Sequence, residues 1–453
     1  MQNLFRKPIL FFTLVIFLAS GCGKADQIIP HPDTVRTSKA ESPHGTRIAD
    51  SHIAQSWYNL MMKLISETPG HAPPIAARSF GYTGVAIYES LVAEMPRHHS
   101  LVGQLNGLAS IPQRMYGNSY VSTITANATL GRIIKNLFQN ASPANLNRID
   151  SLHAANEKLY TGEFSEKIIN RSRAYGHAVA DAVFEWSLSD GGHEAYLNLF
   201  PSNYIASGGV NKWVPTPALY QNAMLPYWGD NRPMLTSNGP GEIDPDAPPV
   251  FSMSPASDFY ASAYEVYNTS RHLSTSQTTI ALYWADGGGT FTPAGHNLAI
   301  TLQMIRNRNL NLLEAAILLA KVGIAENDAG IVCWRSKFKT NLLRPVTYIR
   351  TYIEPSWLPL ISTPPFPSYT SGHSTFTSAA AAILNVKFGD QTPFTDSSKI
   401  AHGFSPRSFK NFNEAAQEAA ISRLYGGIHY AFDNVNGFVC GQKIAINVEH
   451  LRW

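Results

Sequence analysis

A chain of 453 residues can bury a substantial core, either as one large domain or as two to three ordinary ones. Its 35 Lys+Arg against 32 Asp+Glu leave a formal charge of only +3, with no dense basic run. That excludes a nucleic-acid footprint and confines any anion recognition to local sites.

Residues 1–22 read as an export signal: Arg6 and Lys7, an apolar core at 9–18, then Ala19-Ser20-Gly21-Cys22. Small residues directly before a cysteine resemble the bacterial lipoprotein cleavage box, so Cys22 is expected to carry a lipid anchor on an exported protein facing the periplasm or cell surface. Residues 23–50 are polar and aperiodic, as in a flexible tether. No later stretch approaches 18 uninterrupted apolar residues. The remaining cysteines, Cys333 and Cys440, can pair in an oxidising compartment or stay as two buried thiols.

Residues 51–453 are expected to form one helical domain. Ile53, Trp57, Leu60, Met61 and Leu64 recur at helical steps, and further helix-like runs cover 75–92, 123–138, 144–159 and 165–188. Periodicity then collapses over 189–255, where Pro, Gly, Trp and Tyr dominate; this stretch reads as either a structured loop that packs on its aromatics or a hinge between two halves, the first being favoured. Helical pattern resumes at 257–286, 293–306 and 310–339, with Pro345 expected to end any helix there. After a turn at 367–374 come an Ala-rich run at 375–384, a loop at 389–412, and helix-like runs at 413–425 and 428–451. Alternating strand patterns are nearly absent, so the fold class is all-α.

Three clusters carry chemistry. Lys337 and Arg344-Pro345 place two cations around a helix end, an arrangement that alone is commonly a pair of solvated charges. Ser371-Gly372-His373 opens a helix, where unpaired N–H groups and the positive dipole end favour an anion. Ser422-Arg423 is followed by His429 and Asp433, which lie at i and i+4, so a helix starting near residue 428 would let the carboxylate fix the imidazole tautomer.

Lys-x6-Arg-Pro, Ser-Gly-His and Ser-Arg-x5-His-x3-Asp, in that order, resemble the three-part signature of the phosphatidic acid phosphatase type 2 superfamily, which includes the vanadium-dependent haloperoxidases. The resemblance implies a vanadate (V) cofactor. His429 would bond the metal, Lys337, Arg344 and Arg423 would neutralise the equatorial oxygens, Ser371 and the Gly372 N–H would add neutral donors, and His373 would handle protons on the opposite side. Trp334 and Phe366 look like the aromatic pair of chloroperoxidases in this family, and the segments 283–287 and 327–330 also resemble haloperoxidases. By that similarity Asp286 is a partner for the arginines, and the fold is a pair of helix bundles.

One departure is Thr370, where the superfamily usually has Pro before Ser-Gly-His; it and Tyr369 are placed to tune peroxide access. The implied reaction consumes hydrogen peroxide and a halide, iodide first and bromide second, and halogenates a small organic acceptor. A monomer is expected. Two other readings fit the same residues: an exported acid phosphatase with a phosphohistidine intermediate on His429, and a lipoprotein that binds oxyanions without turnover.

Overall fold

The computed structural model describes residues 50–160 and 162–453. The export signal, the Cys22 anchor and all but the last residue of the tether lie outside the described residues. Among the described residues helix accounts for 57% and strand for 2%, an all-α fold. Among the described residues no helix is long and apolar enough to cross a membrane.

Five helices occupy the N-terminal half: α1 (His52–Glu67), α2 (Pro73–Leu91), α3 (Ser122–Leu137), α4 (Pro143–Lys158) and α5 (Glu166–Ser187). Pro at the first turn of α2 and α4 supplies a preset φ where no N–H is needed. The run expected at 257–286 is two helices, α6 (Asp258–Arg271) and α7 (Thr275–Tyr283), because Ser274 and Gln277 form a capping box that restarts the chain. Then come α8 (Thr292–Asn307) and the 29-residue α9 (Leu312–Thr340), opened by an Asn311/Glu314 capping box.

Pro345 does not end α9. That helix stops at Asn341, which adopts a left-handed conformation, and Pro345 instead opens α10 (Pro345–Tyr352) with Arg344 at its N-cap. The C-terminal part adds α11 (Gly372–Phe388), a hairpin of β1 (Phe394–Asp396) and β2 (Arg407–Phe409), α12 (Phe412–Tyr425) and α13 (Ala431–Glu449).

The largest hydrophobic core draws on α1 to α5 and also on α8, α9 and α11 to α13, so the two halves share buried side chains. Helix α9 packs against α2 and also against α11 and α13. Glycines allow this: a Cβ on Gly84 would lie 2.8 Å from the Leu319 carbonyl, and one on Gly323 would lie 2.6 Å from the Phe80 carbonyl. A smaller core joins α6 and α10 to Trp357, Tyr369 and Tyr430.

The irregular stretch 189–255 is anchored along its length. Arg78 donates to Asp190, the Trp213 N–H bonds the Asn341 carbonyl, and the Met224 N–H bonds the Pro365 carbonyl. Buried Asp328 of α9 accepts from the Met234 and Leu235 N–H groups and from Asn238. Trp213 and Trp228 of this stretch are buried. Cys333 and Cys440 are free and buried.

Candidate active site

The turn before α11, the last turn of α12 and the residues before α13 meet at one cavity of about 580 Å³, lined by Gly372, His373, Arg423 and His429 together with Trp334 and Phe366. The chain ends of three helices therefore converge where the signature predicts an oxyanion.

His429 lies two residues before α13 rather than inside it, since that helix begins at Ala431. The Asp433 contact forms all the same, because Asp433 is the third residue of the helix and turns back across its N-terminus: Oδ2 accepts from His429 Nδ1 at 2.8 Å, from the Tyr430 N–H at 3.2 Å and from Ser368 Oγ. Arg344 Nη1 lies 3.1 Å from His429 Nε2, and a guanidinium can only donate, so Nε2 carries the lone pair and Nδ1 the proton. Burial, then the charges of Arg344, Lys337 and Arg423, hold this imidazole far below the usual histidine range. At neutral pH His429 Nε2 is an unprotonated nitrogen beside the cavity.

Arg344 reaches it from the N-cap of α10, with Nε on the Phe366 carbonyl at 2.8 Å and Nη1 on the Ile428 carbonyl at 2.7 Å. Arg423 Nη1 donates to the Trp284 carbonyl at 2.6 Å. Burial pushes both guanidinium groups down, to about 9 and about 10, and both remain charged at neutral pH. Arg344 Nη2, Arg423 Nε and His373 Nε2 are buried without a protein hydrogen-bond partner. Such atoms are rare in folded proteins: the two guanidinium N–H groups each want an acceptor, and the imidazole nitrogen wants a partner. As the first residue of α11, Gly372 carries an N–H with no acceptor inside the helix. A tetrahedral oxyanion would satisfy this donor set, so the residues fit vanadate.

Three expectations change. Lys337 is in the last turn of α9, but its ammonium donates to the carbonyls of Pro367, Ser368 and Thr370 at 3.0, 3.0 and 2.5 Å, which occupies all three of its protons. Burial lowers its proton affinity. It braces the turn that carries Ser371-Gly372-His373 rather than facing the cavity. Ser371 is buried as the N-cap of α11, its Oγ accepting from the Ser374 N–H and its own N–H bonded to the Asp433 carbonyl at 3.0 Å. Asp286 bonds neither arginine. Lys399 Nζ and His296 Nδ1 take its two oxygens at 2.5 and 2.9 Å, and its Oδ2 stands 3.9 Å from His373 Nε2. Chain separation explains why this was missed: Lys399 and Asp396 lie in the β1–β2 region, far along the chain from Asp286, and neither belongs to a readable motif.

The aromatic pair forms as expected. Trp334 and Phe366 have ring centroids 4.9 Å apart, and the Lys337 ammonium and the Arg344 guanidinium each lie 5.0 Å from the Phe366 ring centre. Thr370, the departure from the superfamily pattern, is buried with its carbonyl on Lys337, so its backbone does the bracing.

A family model described as the VCPO second helical-bundle domain matches residues 317–452. Vanadium chloroperoxidase of Curvularia inaequalis is 27% identical over 219 residues, covering 35% of this chain and 36% of that protein's length. A solved bacterial vanadium-dependent iodoperoxidase superposes with a TM-score of 0.82 at 31% identity, covering 90% of this chain and 98% of the other. A holo bacterial vanadium-dependent chloroperoxidase shares the fold at a TM-score of 0.65 and 14% identity, over 85% of this chain and 94% of the other. With a likeness that spans nearly the whole of the iodoperoxidase, and with Gly372, His373, Arg423 and His429 of the signature lining one cavity, the chain belongs to the vanadium-dependent haloperoxidases.

Proposed function

We propose that this chain is a vanadate-dependent haloperoxidase that takes iodide first and bromide second. Hydrogen peroxide, the halide and one proton become water and a hypohalous acid, which halogenates an organic acceptor. The observation that carries this reading is the unprotonated His429 Nε2 set beside one cavity with buried guanidinium and imidazole nitrogens that have no protein partner.

His429 would hold the cofactor, with Arg344, Arg423 and the Gly372 N–H around its oxygens. Vanadate would supply a Lewis-acidic V(V) centre that activates peroxide without changing its oxidation state. Asp433 keeps the His429 proton on Nδ1, so Nε2 stays available. His373 is held neutral, by burial and then by the Arg423 charge, so its Nε2 can accept a proton from an incoming acid. Trp334 and Phe366 keep water from one side of the site and present polarisable faces.

The cavity is much larger than an oxyanion, and Leu199, Leu219, Met224, Pro364 and Pro365 give it apolar walls. Part of that wall comes from the 189–255 stretch. An uncharged organic acceptor can enter the same space. The preference for iodide is supported by likeness to the iodoperoxidase. Export and tethering through Cys22 rest on residues 1–22.

The test is triiodide formation by the purified apoprotein after vanadate is added, with hydrogen peroxide and iodide, over about pH 5 to 8. Vanadate-dependent turnover is expected. Phosphate-ester hydrolysis lost in His429→Ala, with no halide oxidation in the same preparation, would replace this reading with the phosphatase.

A further inference from the structure

Asp286 is a pinned residue. Its φ of +43° lies in the left-handed region, uncommon for a residue with a side chain, and it precedes Gly287-Gly288-Gly289, which line the cavity. What pins it is a buried cluster outside the signature. His296, at the start of α8, places Nδ1 2.9 Å from Asp286 Oδ2 and Nε2 2.8 Å from Asp396 Oδ2. Asp396 also accepts from the Tyr283 hydroxyl at 2.6 Å and from the Ser398 N–H at 2.8 Å, and Lys399 holds the other oxygen of Asp286.

Ionised carboxylates only accept, so both nitrogens of His296 carry protons and the ring is a cation. Its four members, two carboxylates and two cations, balance in charge. The His296 ring stacks on Trp284, with centroids 4.5 Å apart, and the Trp284 carbonyl is the acceptor for Arg423.

We propose that His296 is a positioning residue for the oxyanion site: clamped to Asp396, it holds the Asp286 carboxylate away from Arg423 and so keeps that guanidinium free for the anion. Arg423 Nε has no protein partner, and the Asp286 charge acts on Arg423 across the gap between them. Without His296, Lys399 still holds one oxygen of Asp286, but Oδ2 is left free to turn onto Arg423 and offset the charge that an oxyanion needs. This rests on the reading of the cavity as an oxyanion site.

The test is orthovanadate binding to the metal-free protein, by equilibrium dialysis in phosphate-free buffer, with unfolding midpoints measured in parallel. His296→Gln is expected to weaken binding at least tenfold, while the double variant H296Q/D286N binds within about threefold of D286N, because the competing carboxylate is gone. Asp396→Asn, which loosens the clamp from its other side, should weaken binding in the same direction and be rescued by D286N in the same way. It carries the test if H296Q does not fold.

Unchanged binding in folded H296Q or D396N would overturn the proposal. So would double variants no better than the clamp variants, the outcome of a purely structural role. Wild-type protein that binds vanadate but oxidises no iodide would defeat the haloperoxidase reading and leave this one standing; wild-type protein that binds no vanadate would defeat both.

Discussion

His429 and Asp433 show how one hydrogen bond sets the chemistry of a site. Asp433→Asn keeps the shape of the side chain but can present a donor to His429 Nδ1, which disturbs the tautomer that leaves Nε2 free. Partners of this kind commonly account for a 10- to 100-fold change in metal affinity, so D433N is expected to weaken vanadate binding by about tenfold, read by dialysis. Lys337 makes a different forecast. With its ammonium bonded to three buried carbonyls, Lys337→Met strands all three acceptors and should destabilise the protein by on the order of 3 kcal/mol or more, seen in urea unfolding of the metal-free protein. A stability unchanged by K337M would show that the brace is dispensable. The signature residues were legible because their spacing is a property of one chain segment at a time. The partners of Lys337 and Asp286 were not, since carbonyl groups leave no mark in a sequence and Lys399 is unremarkable until the fold brings it to Asp286.

The helices were readable to within a few residues where the apolar period is clear, as in α3, and in α9, which a capping box also opens. Where period and cap disagreed, the cap decided: Ser274 split one run into α6 and α7, and Pro345 began a helix it was expected to end. Small residues then set how closely elements pack. A Cβ on Gly441 of α13 would lie 2.0 Å from Ser378 Oγ and 2.3 Å from the Thr375 carbonyl of α11, the helix that opens with Gly372 and His373. Gly441→Ala should therefore destabilise by about 3 kcal/mol through overpacking, measured as a lower unfolding midpoint. An unchanged midpoint would mean that α11 and α13 can separate without loss.

The whole molecule responds to pH through buried histidines of opposite kind. Burial holds His71 down at about 4, so the unfolded chain takes up a proton that the folded one refuses, and stability falls as pH drops from 6.5 towards 4. For His296 burial is outweighed by Asp286 and Asp396, which raise it to about 9; the stabilisation it gives is complete below 6.5 and is lost as pH rises towards 9. Each accounts for roughly 3 kcal/mol over its window. Urea unfolding of the metal-free protein should show less stability at both ends than near pH 6.5, and His71→Gln should make the acid-side fall shallower, leaving the part due to buried His373 and His429 and the alkaline side unchanged. A profile rising steadily towards acid pH would contradict the buried neutral state of His71.

The halves of the chain meet in a common core, and the cavity takes its walls from both: residues 65–73 of the α1–α2 region, the irregular 189–255 stretch, and the helix ends that carry the signature. Neither the shared core nor that wall could be read from local pattern, because long-range packing decides both. The central claim is that His429 is the residue through which vanadate makes this protein a haloperoxidase. It is tested most directly by iodide oxidation in vanadate-loaded wild type and His429→Ala, side by side with hydrogen peroxide. The account predicts vanadate-dependent triiodide from the wild type and only background from H429A; equal rates in the two, or no response of folded wild type to vanadate, would contradict it.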